Sequence, residues 1–61
     1  MDLNRAPAAE LTRVKGIGEK TALAIVEYRV SHGPFRELRD LLQVKGIGEK
    51  KLEKLGPYLI L

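Results

Sequence analysis

With 61 residues and no cysteine, the chain is long enough for one small domain and has no disulfide or thiolate metal site to staple it. No apolar run approaches the ~20 residues of a membrane span, and the start Met1-Asp2-Leu3-Asn4 lacks the basic and apolar regions of a signal peptide, so any signal or anchor is expected upstream of this chain. The formal net charge of +3 is modest, and its placement says more than its size.

Four short helices are the natural reading in chain order. Asn4 is a good N-cap and Pro7 suits a first helical turn, where a missing N–H costs nothing. Ala8 to Thr12 then form a helix that ends near Arg13, ahead of Gly16. A second helix should begin at Gly18 or Glu19 and run to about Ser31. Its apolar positions Ala22, Leu23, Ile25, Val26 and Val30 are expected on one face. His32-Gly33-Pro34 stops it, because glycine closes a helix end and proline cannot continue one. Phe35 is expected to anchor that linker. A third helix covers roughly Arg36 to Leu42, with Leu38, Leu41 and Leu42 inward. A fourth runs from Glu49 to about Leu55 and is terminated by Gly56-Pro57. The tail Tyr58-Leu59-Ile60-Leu61 is apolar enough to dock on the core.

Between these helices lies an exact internal repeat. Val14-Lys15-Gly16-Ile17-Gly18-Glu19-Lys20 returns thirty positions later as Val44-Lys45-Gly46-Ile47-Gly48-Glu49-Lys50. The expectation is a single all-α domain over 1–61 with approximate two-fold symmetry. Its first motif covers about 6–31, its linker 32–35 and its second motif about 36–61. Neither half alone has enough core to fold. A shared core is expected from Leu11, Val14, Ile17, Ile25, Leu41, Val44, Ile47, Leu52 and Leu55, while Tyr28 and Tyr58 should sit at its edges.

The repeats also concentrate the charge. Residues 13–20 carry a local balance of +2, residues 45–51 carry another +2, and everything else together carries −1. That points to a polyanionic partner met at the repeats. Gly16 and Gly18 flank Ile17 directly before a helix, and Gly46 and Gly48 flank Ile47 in the same way. Glycine permits positive φ and close backbone approach, and the apolar residue between plugs the turn. Unpaired N–H groups at the start of the next helix then form an anion site suited to phosphate. Glu19 and Glu49 suit a helix start; Lys20, Lys50 and Lys51 oppose its dipole, at ~0.3–1 kcal/mol each, which an anionic ligand explains better than stability does.

Other phosphate devices are excluded. Gly-Ile-Gly-Glu-Lys-Thr lacks the third glycine of G-x-G-x-x-G and the strand before it, and lacks the glycine that a Walker A loop needs directly before its lysine. Two copies half a chain apart suit two phosphates of a long polymer rather than one nucleotide.

Val-Lys-Gly-Ile-Gly-Glu-Lys, followed in the first copy by Ala22 and Ile25, resembles the helix-hairpin-helix DNA-binding motif. Asp2-Leu3-Asn4-Arg5-Ala6, Glu10-Leu11, Tyr28-Arg29, Gly33-Pro34-Phe35 and Asp40-Leu41-Leu42 with Val44 extend the likeness over essentially the whole chain, to the double helix-hairpin-helix domain of the ComEA family of bacterial competence proteins. The resemblance implies sequence-independent binding of double-stranded DNA across the minor groove, one hairpin near each strand. Carried over by position, the phosphate contacts are the backbone N–H groups of Gly16, Ile17, Gly18, Gly46, Ile47 and Gly48, beside Lys15, Lys20, Lys45 and Lys50. Thr21 and Lys51, just beyond the identical stretch, complete the expected set. The second copy departs with Lys51-Leu52 where the first has Thr21-Ala22, a bulkier residue replacing a small one.

Catalytic equipment is sparse: one histidine, His32, in the linker, and no Ser-His-Asp set, metal-ligand cluster or close carboxylate pair. Three aromatic residues are too few for single-strand stacking. The chain therefore reads as a binding module with no cofactor, metal or small-molecule substrate. Its expected role is a DNA receptor in natural transformation, outside the cytoplasm (periplasmic or membrane-anchored), with other DNA-uptake proteins as further partners. The alternatives are a protein-interaction module and the DNA-holding domain of a repair enzyme; without the competence role the expected location is cytoplasmic.

Overall fold

The computed structural model describes every residue, Met1–Leu61. Three α-helices, α1 (Ala8–Leu11), α2 (Glu19–His32) and α3 (Glu49–Leu55), are joined by a 3₁₀ helix at Leu38–Gln43 between α2 and α3 and another at Gly56–Tyr58 after α3. The only extended pairing is an isolated parallel bridge between Asp2 and Ile60. α1 packs on α2 and the 3₁₀ helix Leu38–Gln43 packs on α3, giving two helical pairs.

All thirteen buried residues are apolar. Four pairs among them are thirty positions apart: Leu11 with Leu41, Val14 with Val44, Ile17 with Ile47, and Ile25 with Leu55. The backbone repeats at the same interval. Glu10 and Asp40 donate to the carbonyls of Pro7 and Glu37, both at 3.0 Å. Val14 and Val44 donate to Leu11 and Leu41 at 3.1 and 2.9 Å. The pseudo-two-fold relation is thus built into hydrogen bonds as well as side chains. Of the expected core, only Leu52 is half-buried; Leu3, Ala6, Ala22, Phe35 and Leu59 join it.

Several local expectations are corrected. Asn4 does not cap α1; Pro7, extended at φ −71°, ψ 163°, holds that position. The Asn4 side-chain amide instead pairs with the Phe35 backbone, accepting from its N–H at 2.7 Å and donating to its carbonyl at 3.0 Å. This ties the first segment to the linker. On α2, Ala22 and Ile25 are buried, but Leu23 and Val30 face solvent. Arg29 takes the next place on the inward stripe, where its guanidinium donates to the carbonyls of Leu3 and Ala6, so Val30 is turned away. Gly33 closes the helix by donating to the Arg29 carbonyl at 3.0 Å.

The third helix is a 3₁₀ turn that starts later than expected. The Asp40 carboxylate accepts from the N–H groups of Arg36 and Glu37, and Glu37 stays extended at φ −150°. Leu41 is buried there while Leu38 and Leu42 are half-buried. In the tail only Leu59 docks; Tyr58, Ile60 and Leu61 are exposed. Tyr58 is therefore no core-edge residue, whereas Tyr28 stacks on Phe35 with ring centroids 4.7 Å apart.

Candidate nucleic-acid interface

Each repeat folds into the same tight turn between two helical segments. The Ile17 N–H donates to the Val14 carbonyl at 3.0 Å, and the Ile47 N–H to the Val44 carbonyl at 3.2 Å. In both turns the third of the four residues is left-handed, a conformation that glycine adopts without steric cost. Gly16 supplies φ +101° and Gly46 φ +92°, values that a side chain disfavours. Ile17 and Ile47 then point inward and are buried. The chain leaves each turn extended, through Gly18 at φ −86°, ψ 179° and Gly48 at φ −104°, ψ −178°. Ala22 and Leu52 make matching bonds of 2.9 Å back to the Gly18 and Gly48 carbonyls.

This arrangement refines the expected contact set. The amides of Ile17 and Ile47 are consumed by the turns, so these residues shape the site without offering donors. The N–H groups of Gly16, Gly18, Gly46 and Gly48 have no acceptor within the protein, and neither Gly18 nor Gly48 brings a capping side chain. Each turn therefore presents open backbone donors, which in α2 precede a fourteen-residue helix.

Lys15, Lys20, Lys45 and Lys50 are exposed beside these donors, and Thr21 and Lys51 are half-buried. None of the lysines is in an ion pair. The two ion pairs present are Arg5–Asp2 at 4.0 Å and Arg39–Glu49 at 3.7 Å, both solvent-exposed and weak. Glu49 thus engages an arginine of the preceding 3₁₀ helix and leaves the cations beside it free for an anion. The departure at Lys51-Leu52 leaves the second turn unchanged, because Leu52 lies at the margin of the core. His32 packs its ring against Tyr28, with centroids 4.7 Å apart, in an aromatic cluster at the C-terminal end of α2.

The profile of the helix-hairpin-helix motif matches residues 1–60. Among similar proteins, the endonuclease/exonuclease/phosphatase family domain-containing protein 1 of Mus musculus is 44% identical over 55 residues, covering 90% of this chain and 10% of that protein. A Haemophilus influenzae protein is 47% identical over 55 residues, covering 88% of this chain and 49% of the relative. ComE operon protein 1 of Bacillus subtilis is 40% identical over 55 residues, covering 90% of this chain and 27% of the relative. The chain therefore spans from about a tenth to about half of the length of these relatives.

Proposed function

The chain belongs to the helix-hairpin-helix family, and we propose that it binds double-stranded DNA without sequence preference, through the phosphates, as a receptor in DNA uptake. The observation that carries this reading is the pairing of two backbone-equivalent turns, each with open amides and unpaired lysines, on one small domain. Backbone donors and lysines recognise phosphate irrespective of base identity, so affinity would come from counterion release and not from base edges. The working contact set is Lys15, Gly16, Gly18, Lys20 and Thr21 in the first turn and Lys45, Gly46, Gly48, Lys50 and Lys51 in the second. Ile17 and Ile47 hold the turns in shape.

Titrating fluorescent duplexes of unrelated sequence across a salt series tests this. With about 3–5 phosphates neutralised, log K should fall against log salt with a slope of about −3 to −4, alike for all sequences. Salt-independent binding, or strong preference for one duplex, sinks it.

The uptake role leans on the likeness to ComE operon protein 1 and places the domain outside the cytoplasm. Deleting the gene should abolish transformation by added DNA; an unchanged frequency rules that role out. The likeness to the mouse protein, of which this domain makes up a tenth, favours a second reading, in which the domain holds DNA for a catalytic neighbour in a longer chain. In both readings the domain binds and does not catalyse.

A further inference from the structure

The thirty-residue repeat relates more than the two turns. Lys15 and Lys45, Ala24 and Lys54, and Tyr28 and Tyr58 are each thirty positions apart. In the folded chain these positions line two corresponding grooves. The first, of about 800 Å³, runs between the first turn and α3, with Lys15 and Gly16 on one side and Lys50, Lys51, Lys54 and Tyr58 on the other. The second, of about 320 Å³, runs between the second turn and α2, with Lys45 facing Ala24, Glu27, Tyr28 and His32.

The geometry corresponds but the chemistry does not. The first groove gathers four lysines and no acid. The second holds one lysine and one glutamate. No ammonium of the first groove is neutralised by an ion pair. Tyr58 is exposed and its hydroxyl takes part in no hydrogen bond within the protein, whereas Tyr28 is stacked on Phe35. Like charges gathered in one open groove repel each other, a strain that a polyanion lying in it relieves. A strand of duplex DNA is the polyanion already implied by the two turns, and the groove opens directly from the first of them at Gly16.

We propose that this groove extends the phosphate-binding surface of the turns, with Lys54 and the Tyr58 hydroxyl contacting the backbone of one strand alongside Lys15, Lys50 and Lys51. The inference rests on the duplex-DNA reading above and adds to it that the two strands are held unequally. The corresponding groove lacks these groups: Ala24 stands where Lys54 does, and Glu27 repels a phosphate.

The test compares salt-series titrations of one duplex with the wild-type domain and with Lys54→Ala, Tyr58→Phe and Arg36→Ala. Arg36→Ala removes the same charge outside both grooves. Lys54→Ala should weaken binding and make the salt slope shallower by about 1, one phosphate contact being lost. Tyr58→Phe should weaken binding about twofold to tenfold with the slope unchanged, the signature of a lost neutral donor. Arg36→Ala should leave the slope at its wild-type value. Circular dichroism confirms folding, which exposed side chains such as these leave intact. A wild-type slope in Lys54→Ala, or equal effects of Lys54→Ala and Arg36→Ala, overturns the groove assignment while the turns keep their role. A wild-type domain that binds no duplex overturns both.

Discussion

At the first turn, a Cβ added to Gly16 would lie 3.2 Å from the Leu55 Cδ2; at the second, a Cβ on Gly46 would meet nothing within 4 Å. The two backbones are otherwise alike, with positive φ, hydrogen bonds and helix starts at matching positions. Seven identical residues therefore specify one turn, and the residues beyond them decide how tightly each turn is held and what surrounds it. The first is wedged against α3 and opens on the lysine groove. At the second, the Gly46 position faces open space while Val44 and Ile47 stay in the core, and Glu49 is drawn to Arg39.

The largest test of the symmetry lies in the core beneath the turns. Leu11 and Leu41 are repeat partners and both are fully buried. Leu11→Ala and Leu41→Ala should each cost about 2–5 kcal/mol, out of a total stability of only about 3–9 kcal/mol for a domain this small. Urea denaturation should show similar losses for the two. A loss in one more than twice that in the other would mean that the halves do not share a core equally.

The turns themselves should then separate. Gly16→Val and Gly46→Val both force a β-branched residue into a left-handed conformation, for about 1–3 kcal/mol each. Only Gly16→Val also drives a side chain into Leu55, so it should be the more destabilising of the two by about 1 kcal/mol or more. Both should lose most DNA binding while still folded, since the open amides flank the substituted position. Equal denaturation midpoints would show that the wedge against Leu55 is slack.

The next position tests why the departure after Lys50 is harmless. Ala22 is fully buried, whereas its partner Leu52 is half-buried. Ala22→Leu should therefore overpack the first half and cost about 1–3 kcal/mol. Leu52→Ala leaves a partly solvated gap and should cost less, at most about 1–2 kcal/mol, because only the buried fraction of its surface is lost. The reverse ranking on thermal denaturation would contradict the packing described.

What the sequence made legible follows from where its signals are local. The turns, α2 and α3 were readable because glycine, lysine and apolar spacing act within a few residues. The four buried repeat pairs followed from the same interval. Asn4 was misread because its amide is satisfied by Phe35, thirty-one residues away, and cap preference carries no trace of that partner. Val30 was misread because Arg29 reaches the carbonyls of Leu3 and Ala6, a tertiary contact that outbids an apolar neighbour for the inward stripe. The tail was misread because the pairing of Asp2 with Ile60 fixes which residue of Leu59-Ile60-Leu61 turns inward, and only Leu59 does. Lys54 and Tyr58 did carry a signal. Tyr28 and Tyr58 share the thirty-residue spacing, but they lie outside the identical stretch, and their relation to the turns shows only once α3 is placed across Gly16.

The smallest expected effect probes the electrostatic surroundings of the second turn. Arg39 and Glu49 are 68% and 77% exposed in their side chains, so their pair at 3.7 Å adds little to stability. Arg39→Gln should change the unfolding free energy by no more than about 0.5 kcal/mol. The substitution nevertheless releases a carboxylate next to Lys50, at the mouth of the second turn. A freed Glu49 would repel an approaching phosphate and lower duplex affinity about twofold at low salt, a difference that should fade as salt screens it. Glu49→Gln in the same background should restore the affinity, since the repelling charge is then gone. No low-salt loss in Arg39→Gln, or no recovery in the double variant, would mean that Glu49 lies outside the reach of the bound strand and that its pairing with Arg39 has no bearing on how the second turn meets DNA.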